Sequence, residues 1–133
     1  MPVLVVRIED GGIAGAFNLT EIVRGPLQSA YLGYYAMAGF DGQGYMAEGL
    51  ALVLRHAFRR LRLHRVEANI QPGNERSIAL VRAAGFRREG LSRRYLKVGG
   101  RWCDHERWAM TVEEWRPGRS RPARHLDRLQ ETT

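Results

Sequence analysis

The stretch Asp41-Gly42-Gln43-Gly44-Tyr45-Met46-Ala47 opens straight into an amphipathic segment, and few folds accommodate that junction. Met46, Leu50, Val53, Leu54, Ala57, Phe58 and Leu61 recur at intervals of three and four, with Glu48, Arg55, Arg59 and Arg62 on the opposite side. The pattern predicts one helix of about 17 residues with a single buried stripe. Small residues ahead of it let main-chain N–H groups approach a ligand closely. The helix start adds unpaired donors and a partial positive charge, which together make an anion site, most often for phosphate.

The flanking elements set the sheet. Residues 3–9 and 13–22 read as strands around the turn Asp10-Gly11-Gly12, so the sheet begins antiparallel. Arg24-Gly25-Pro26 breaks the chain, and residues 30–37, rich in Tyr and Leu, form a third strand. A fourth covers 65–70. Asn74 then reads as the N-cap of a second helix, Glu75 suits its dipole, and Gly85 is placed to end it. Residues 86–98 and 105–112 close the sheet around Gly99-Gly100. The order is β-β-β-α-β-α-β-β, an α/β (α+β mixed) sheet with two helices. From Arg116 the chain is rich in Arg and Pro and is expected to be a loose tail, leaving residues 1–115 as the domain.

Composition narrows the function classes. A chain of 133 residues, 44% apolar and 26% charged, supports one globular core. No apolar run approaches the roughly 18 residues a membrane span needs, and a cytoplasmic location is expected. Cys103 is alone, so it is read as a small packing residue. His56, His64, His105 and His125 share no metal-ligand spacing with it, and no metal is expected. The net charge of +7 invites nucleic-acid partners, yet 20 of the 21 basic residues are Arg and five of them lie in the tail. Without an RNA-binding aromatic motif, nucleic acid is not the expected main ligand.

Two phosphate ligands compete. Gly42-x-Gly44-x-x-Ala47 matches a dinucleotide fingerprint, with Glu67 placed about 20 residues on. Against it stand the antiparallel opening, the position of Glu67 within its strand, and too little chain for the remaining parallel strands. A Walker loop is excluded, since no Gly-Lys-Ser/Thr follows.

A series of blocks is more specific. Tyr31-Leu32-Gly33-Tyr34 is followed by Gly42-Gln43-Gly44-Tyr45-Met46-Ala47-Glu48 and His64-Arg65-Val66-Glu67-Ala68-Asn69. Then come Gln71-Pro72-Gly73-Asn74-Glu75-Arg76-Ser77, Ala84-Gly85-Phe86-Arg87-Arg88-Glu89-Gly90 and Gly100-Arg101-Trp102-Cys103-Asp104-His105. In this order, over about residues 3–115, they resemble the GNAT acetyltransferases, specifically the Rim-type (RimJ/RimL-like) ribosomal-protein N-acetyltransferases. The resemblance implies an acyl-CoA N-acyltransferase fold and transfer of acetyl from acetyl-CoA to an amine, either a protein N-terminal α-amine or a small molecule. It also implies a leading strand and two helices that wall the acceptor pocket, which this sequence does not show. The domain is therefore expected to be incomplete at its N-terminus, and self-association, as in a homodimer, is expected to cover the exposed sheet. The rival class is a non-catalytic CoA-binding remnant or a basic ribosome-associated module.

By the same resemblance, Tyr35, Ala36 and Met37 hold the pantetheine arm through main-chain bonds, and Gly42, Gln43, Gly44, Tyr45, Met46 and Ala47 hold the diphosphate. Asp41 departs from the family's Gln or Arg, where a carboxylate would repel a diphosphate, and its preferred reading is a helix cap. Met46 stands where the motif prefers a small residue. Asn74 and Ser77 match the family's Asn-x-x-Ser, with Ser77 as the donor to the leaving thiolate. Glu67, beside the splayed gap, is the candidate base acting through water; its other reading is an ion-paired strand residue. Asp104 and His105 point to opposite faces of a strand and cannot act as one dyad, leaving His105 a lesser base candidate.

Overall fold

The computed structural model describes residues 2–7, 13–36, 44–117 and 126–131. The strands are β1 (Pro2–Arg7), β2 (Ile13–Val23), β3 (Ser29–Ala36), β4 (Arg65–Ile70), β5 (Arg87–Val98), β6 (Arg101–Thr111) and β7 (Leu126–Glu131). The helices are α1 (Tyr45–Arg55) and α2 (Glu75–Ala84). One sheet joins all seven strands in the order β5-β6-β4-β3-β2-β1-β7. Its single parallel pairing is β3 with β4; the other neighbours run antiparallel.

The parallel seam is short. Only Ser29–Arg65, Ala30–Val66 and Tyr31–Glu67 pair across it, although β3 runs on to Ala36 and β4 to Ile70. Beyond Tyr31 the strands diverge, while β2 stays paired with β3 out to Ala36. The sheet is thus split by a gap whose β3 edge has no strand partner among the described residues.

Alternation decides which face each strand residue serves. Phe17, Leu19, Ala30, Leu32, Val66, Ala68, Ile70, Trp108 and Met110 point to one face, where Tyr45, Leu50, Val53, Leu54, Ile78 and Val81 from the two helices complete the core. Burying such residues contributes about 1.5–3 kcal/mol each. The opposite face carries Tyr31, Arg65, Glu67, Asn69, His105 and Arg107.

The long helix predicted from one stripe arrives in two pieces. After Arg55 the chain widens into a π-helical turn, His56–Arg60, closed by a Leu61 N–H to His56 carbonyl bond of 3.0 Å. The turn keeps Ala57 and Phe58 buried and sets Phe58 against Trp115, ring centres 5.5 Å apart. The second helix is capped as expected: the Asn74 side chain accepts from the Ser77 N–H at 3.2 Å, and Gly85 ends it.

Two boundaries differ from expectation. β6 starts at Arg101 rather than at 105, because Gly99 and Gly100, both with positive φ, return the chain directly into register at Val98–Arg101. The tail expected to be loose contributes β7, which pairs with the otherwise free edge of β1. The turn expected at Asp10-Gly11-Gly12 lies outside the described residues.

Candidate active site

A cleft of about 510 Å³ lies between the far end of β3, where it has parted from β4, and the two helices. Tyr34, Tyr35 and Ala36 line it from β3, Gly44, Met46 and Ala47 from the start of α1, and Asn74, Arg76, Ser77 and Ala83 from α2. Both helices present their N-terminal turns to it, so two positive dipole ends converge. Small side chains and a strand edge without a partner leave main-chain groups accessible along its length. These features suit an elongated ligand that is amide-bearing at one end and anionic at the other.

The helix start is built by two glycines. Gly44 holds φ 80°, the left-handed region, and its carbonyl accepts the Glu48 N–H at 3.1 Å. Gly15 on β2 lies under Met46: a Cβ there would sit 2.6 Å from Met46 Sδ and 2.6 Å from the Tyr35 carbonyl oxygen. The bulk of Met46 is therefore matched by a missing side chain across the core. Tyr45 is 3% exposed, and its ring belongs to that core.

Of the remaining residues read from sequence, Tyr35, Ala36, Gly44, Met46, Ala47, Asn74 and Ser77 come together in the cleft. Met37, Gly42, Gln43 and the neighbouring Asp41 lie outside the described residues. Asn74 does serve as a cap, through Oδ1, which leaves its Nδ2 free to turn to a ligand.

Ser77 has a partner that sequence reading did not single out. Tyr34 Oη lies 2.5 Å from Ser77 Oγ and donates to the Ser77 carbonyl at 3.1 Å. Burial pushes the Tyr34 phenol above its usual range, so it stays protonated. The signal was available: Tyr34 shares the inward face of Ala30 and Leu32, and a buried Tyr must find a hydrogen-bond partner. Arg76, also missed, adds a cationic side chain to the cleft wall.

Glu67 points the other way. Its Oε1 accepts from Arg65 Nη2 at 2.7 Å and its Oε2 from Asn69 Nδ2 at 3.2 Å. Arg65 also grips Glu89, with Nη1 to Oε2 at 2.9 Å, and holds that carboxyl below the usual range. Glu67 is thus an ion-paired strand residue, the second of its two sequence readings. Above it, Tyr31 Oη and Tyr95 Oη meet at 3.2 Å, and that bond pushes the Tyr31 phenol up to about 12.

The profile described as "Acetyltransferase (GNAT) domain" matches residues 2–87. The chain is 39% identical over 107 residues to the ribosomal protein uS5-alanine N-acetyltransferase of Escherichia coli (strain K12), covering 80% of this chain and 55% of that one. The structure of Mycobacterium smegmatis RimJ in complex with CoA-disulfide superposes with TM-score 0.76 at 41% identity, over 84% of this chain and 54% of that one. Ribosomal-protein-S5-alanine acetyltransferase from Vibrio fischeri gives 0.78 at 30% identity, over 86% and 62%. The chain spans about half the length of the curated relatives it matches.

Proposed function

The chain belongs to the GNAT acetyltransferase family, and on that premise we propose that it moves an acetyl group from acetyl-CoA to a primary amine, with a protein N-terminal α-amine as acceptor. The observation that carries this reading is the three-pair seam: it leaves a strand edge of β3 beside two helix starts in one cleft. Tyr35 and Ala36 would hold the pantetheine amides from that edge. Gly44 to Ala47 would hold the diphosphate through main-chain N–H groups, with Arg76 adding charge. The relatives that act on ribosomal-protein alanine support the choice of acceptor.

Acetyl-CoA supplies an activated thioester, so the protein needs no covalent intermediate. An α-amine, with ordinary pKa about 7.7–8.0, is substantially neutral near pH 7.5, whereas a lysine amine near 10.4 is almost wholly protonated. At the leaving end, the Ser77 and Tyr34 hydroxyls form a relay: when the Tyr34 hydrogen turns to Ser77 Oγ, the Ser77 hydrogen is released toward the sulfur. Such a donor contributes about 10²–10⁴ where proton transfer is needed and less for a thiolate, which leaves readily.

Thiol release with a colorimetric disulfide reagent tests the reading against an alanyl peptide, the same peptide N-acetylated with an internal lysine, and spermidine. Release is expected first and fastest with the free α-amine. Release with spermidine alone would move the acceptor to small amines, and no release with any amine would remove the transferase reading.

A further inference from the structure

On the face opposite the helices lies a second set of polar groups that the cleft does not use. The Asn69 Oδ1 is buried and accepts no hydrogen bond among the described residues, although its Nδ2 is committed to Glu67. A buried acceptor left unmet is unfavourable, so it calls for a donor from outside the fold. Asn69 is the residue of β4 next beyond Glu67 on this face. It therefore borders the gap where β3 has already turned away.

His105 stands diagonally beside it. Asn69 pairs with Arg107 across β4 and β6, and His105 is two residues further along β6 on the same face. Such diagonal neighbours are about 7–8 Å apart, close enough for their side-chain tips to converge on one small polar group. His105 is only 4% exposed, and its Nδ1 lies 2.9 Å from the Cys103 carbonyl. A carbonyl can only accept, so Nδ1 carries the hydrogen and the neutral ring keeps its lone pair on Nε2. Nε2 makes no hydrogen bond among the described residues. Glu67 is instead held by its own strand, accepting from Arg65 on one oxygen and from Asn69 on the other.

The tyrosine bridge lies on this face too. Tyr95 is on β5 and Tyr31 on β3, so a contact between their hydroxyls must cross β6 and β4 on this face. In register, Tyr95 falls between the Ser92–His105 and Leu96–Cys103 pairs, whereas Tyr31 pairs with Glu67. The diagonal between them passes above Asn69 and His105. The bridge thus crosses the same face as the pair.

We propose that Asn69 Oδ1 and His105 Nε2 form the seat for the acceptor amine, with His105 as the general base; this rests on the acetyl-transfer reading above. The neutral amine enters from this face and donates one N–H to Asn69. Its nitrogen attacks the thioester carbon held in the gap, forming the C–N bond as the C–S bond breaks. The proton lost from nitrogen passes to His105 Nε2 and then to water. The electron pair leaves with sulfur on the opposite face, where the Ser77–Tyr34 pair supplies the thiol proton and regains one from water. Nucleophile and leaving group are thus served by opposite faces of one split sheet.

His105→Gln should lower kcat for an alanyl peptide by about a hundredfold or more. The acetyl-CoA thermal shift should remain at the wild-type value, showing an intact fold and cleft. Imidazole in the buffer should restore part of the rate to His105→Gly. Nitrogen NMR of the unmodified protein gives a readout independent of turnover, with the His105 signals identified by their loss in the Gln variant. The ring should be in the Nδ1–H form, and its Nε2 resonance should move when peptide is added with CoA. A wild-type rate in His105→Gln, or an Nε2–H ring, would overturn the proposal while leaving acetyl transfer intact. A wild-type protein that releases no thiol with any amine would instead overturn the transfer reading on which it depends.

Discussion

The two faces of the split sheet are built by different means. The helical face is made largely from main chain: a left-handed glycine, two helix starts, a free strand edge and small lining residues. The opposite face is made from side chains. Arg65, Glu67, Glu89 and Asn69 hold one another, Tyr31 meets Tyr95, and His105 leans on its own strand. A main-chain site tolerates changes in side chain but not in backbone conformation. A side-chain network responds in the reverse way, since removing one member leaves another unpaired.

That contrast can be broken most sharply at Gly44. Valine there must adopt φ 80° with a β-branched side chain, which costs about 1–2 kcal/mol or more. CoA affinity measured by calorimetry should fall about tenfold or more, while the opposite face is undisturbed. Unchanged affinity would remove the helix start from the binding site. A smaller effect, on the other face, sharpens the difference. Glu67→Gln should lower the melting temperature by several degrees, since a hydrogen bond to a charged group is worth about 1.5–3 kcal/mol. Its kcat should stay within about threefold of wild type; a fall near the 10²–10⁴ range would make Glu67 the base and return it to the chemistry.

The smallest effect lies at the end of β6, where Glu114 ties the strand off. Arg87 donates to it through Nε at 3.0 Å, the Thr111 N–H adds a further bond at 3.0 Å, and its carboxyl is held down at about 2. A carboxyl whose folded pKa is lowered adds stability above its unfolded value near 4.3, and that stability is lost as pH falls toward 2. Glu89, lowered chiefly by Arg65, acts in the same direction. Melting temperature should therefore drop between about pH 4.5 and 2, and Glu114→Gln should flatten that drop. An unchanged profile in the variant would leave the tie without weight.

The same contrast governs how much could be read from the chain. The helical face was legible because its determinants are local: the stripe from Met46 to Phe58, the Asn74 cap and the paired glycines at 99 and 100 each carry their own signal. The opposite face was not, because its contacts join residues far apart in sequence, such as Arg65 with Glu89 and Tyr31 with Tyr95. Glu67 looked like a base until Arg65 and Asn69 were seen to occupy it. The π-helical turn has no propensity signature, and β7 reads as polar tail until the open edge of β1 is known. Gly15 was invisible for a related reason: its purpose lies in Met46, on another element.

The brevity of the seam has one more consequence. Among the described residues, main-chain bonding between the two halves of the sheet is confined to the short stretch from Gln28 to Tyr31. A cosubstrate lying in the gap would act as a suture between them, raising resistance to heat by about 2.7 kcal/mol at a hundredfold excess over its Kd. In a starved cell, where that thioester runs low, the same protein would be held together less firmly and cleared sooner. Its abundance would then follow the supply of the cosubstrate proposed for it.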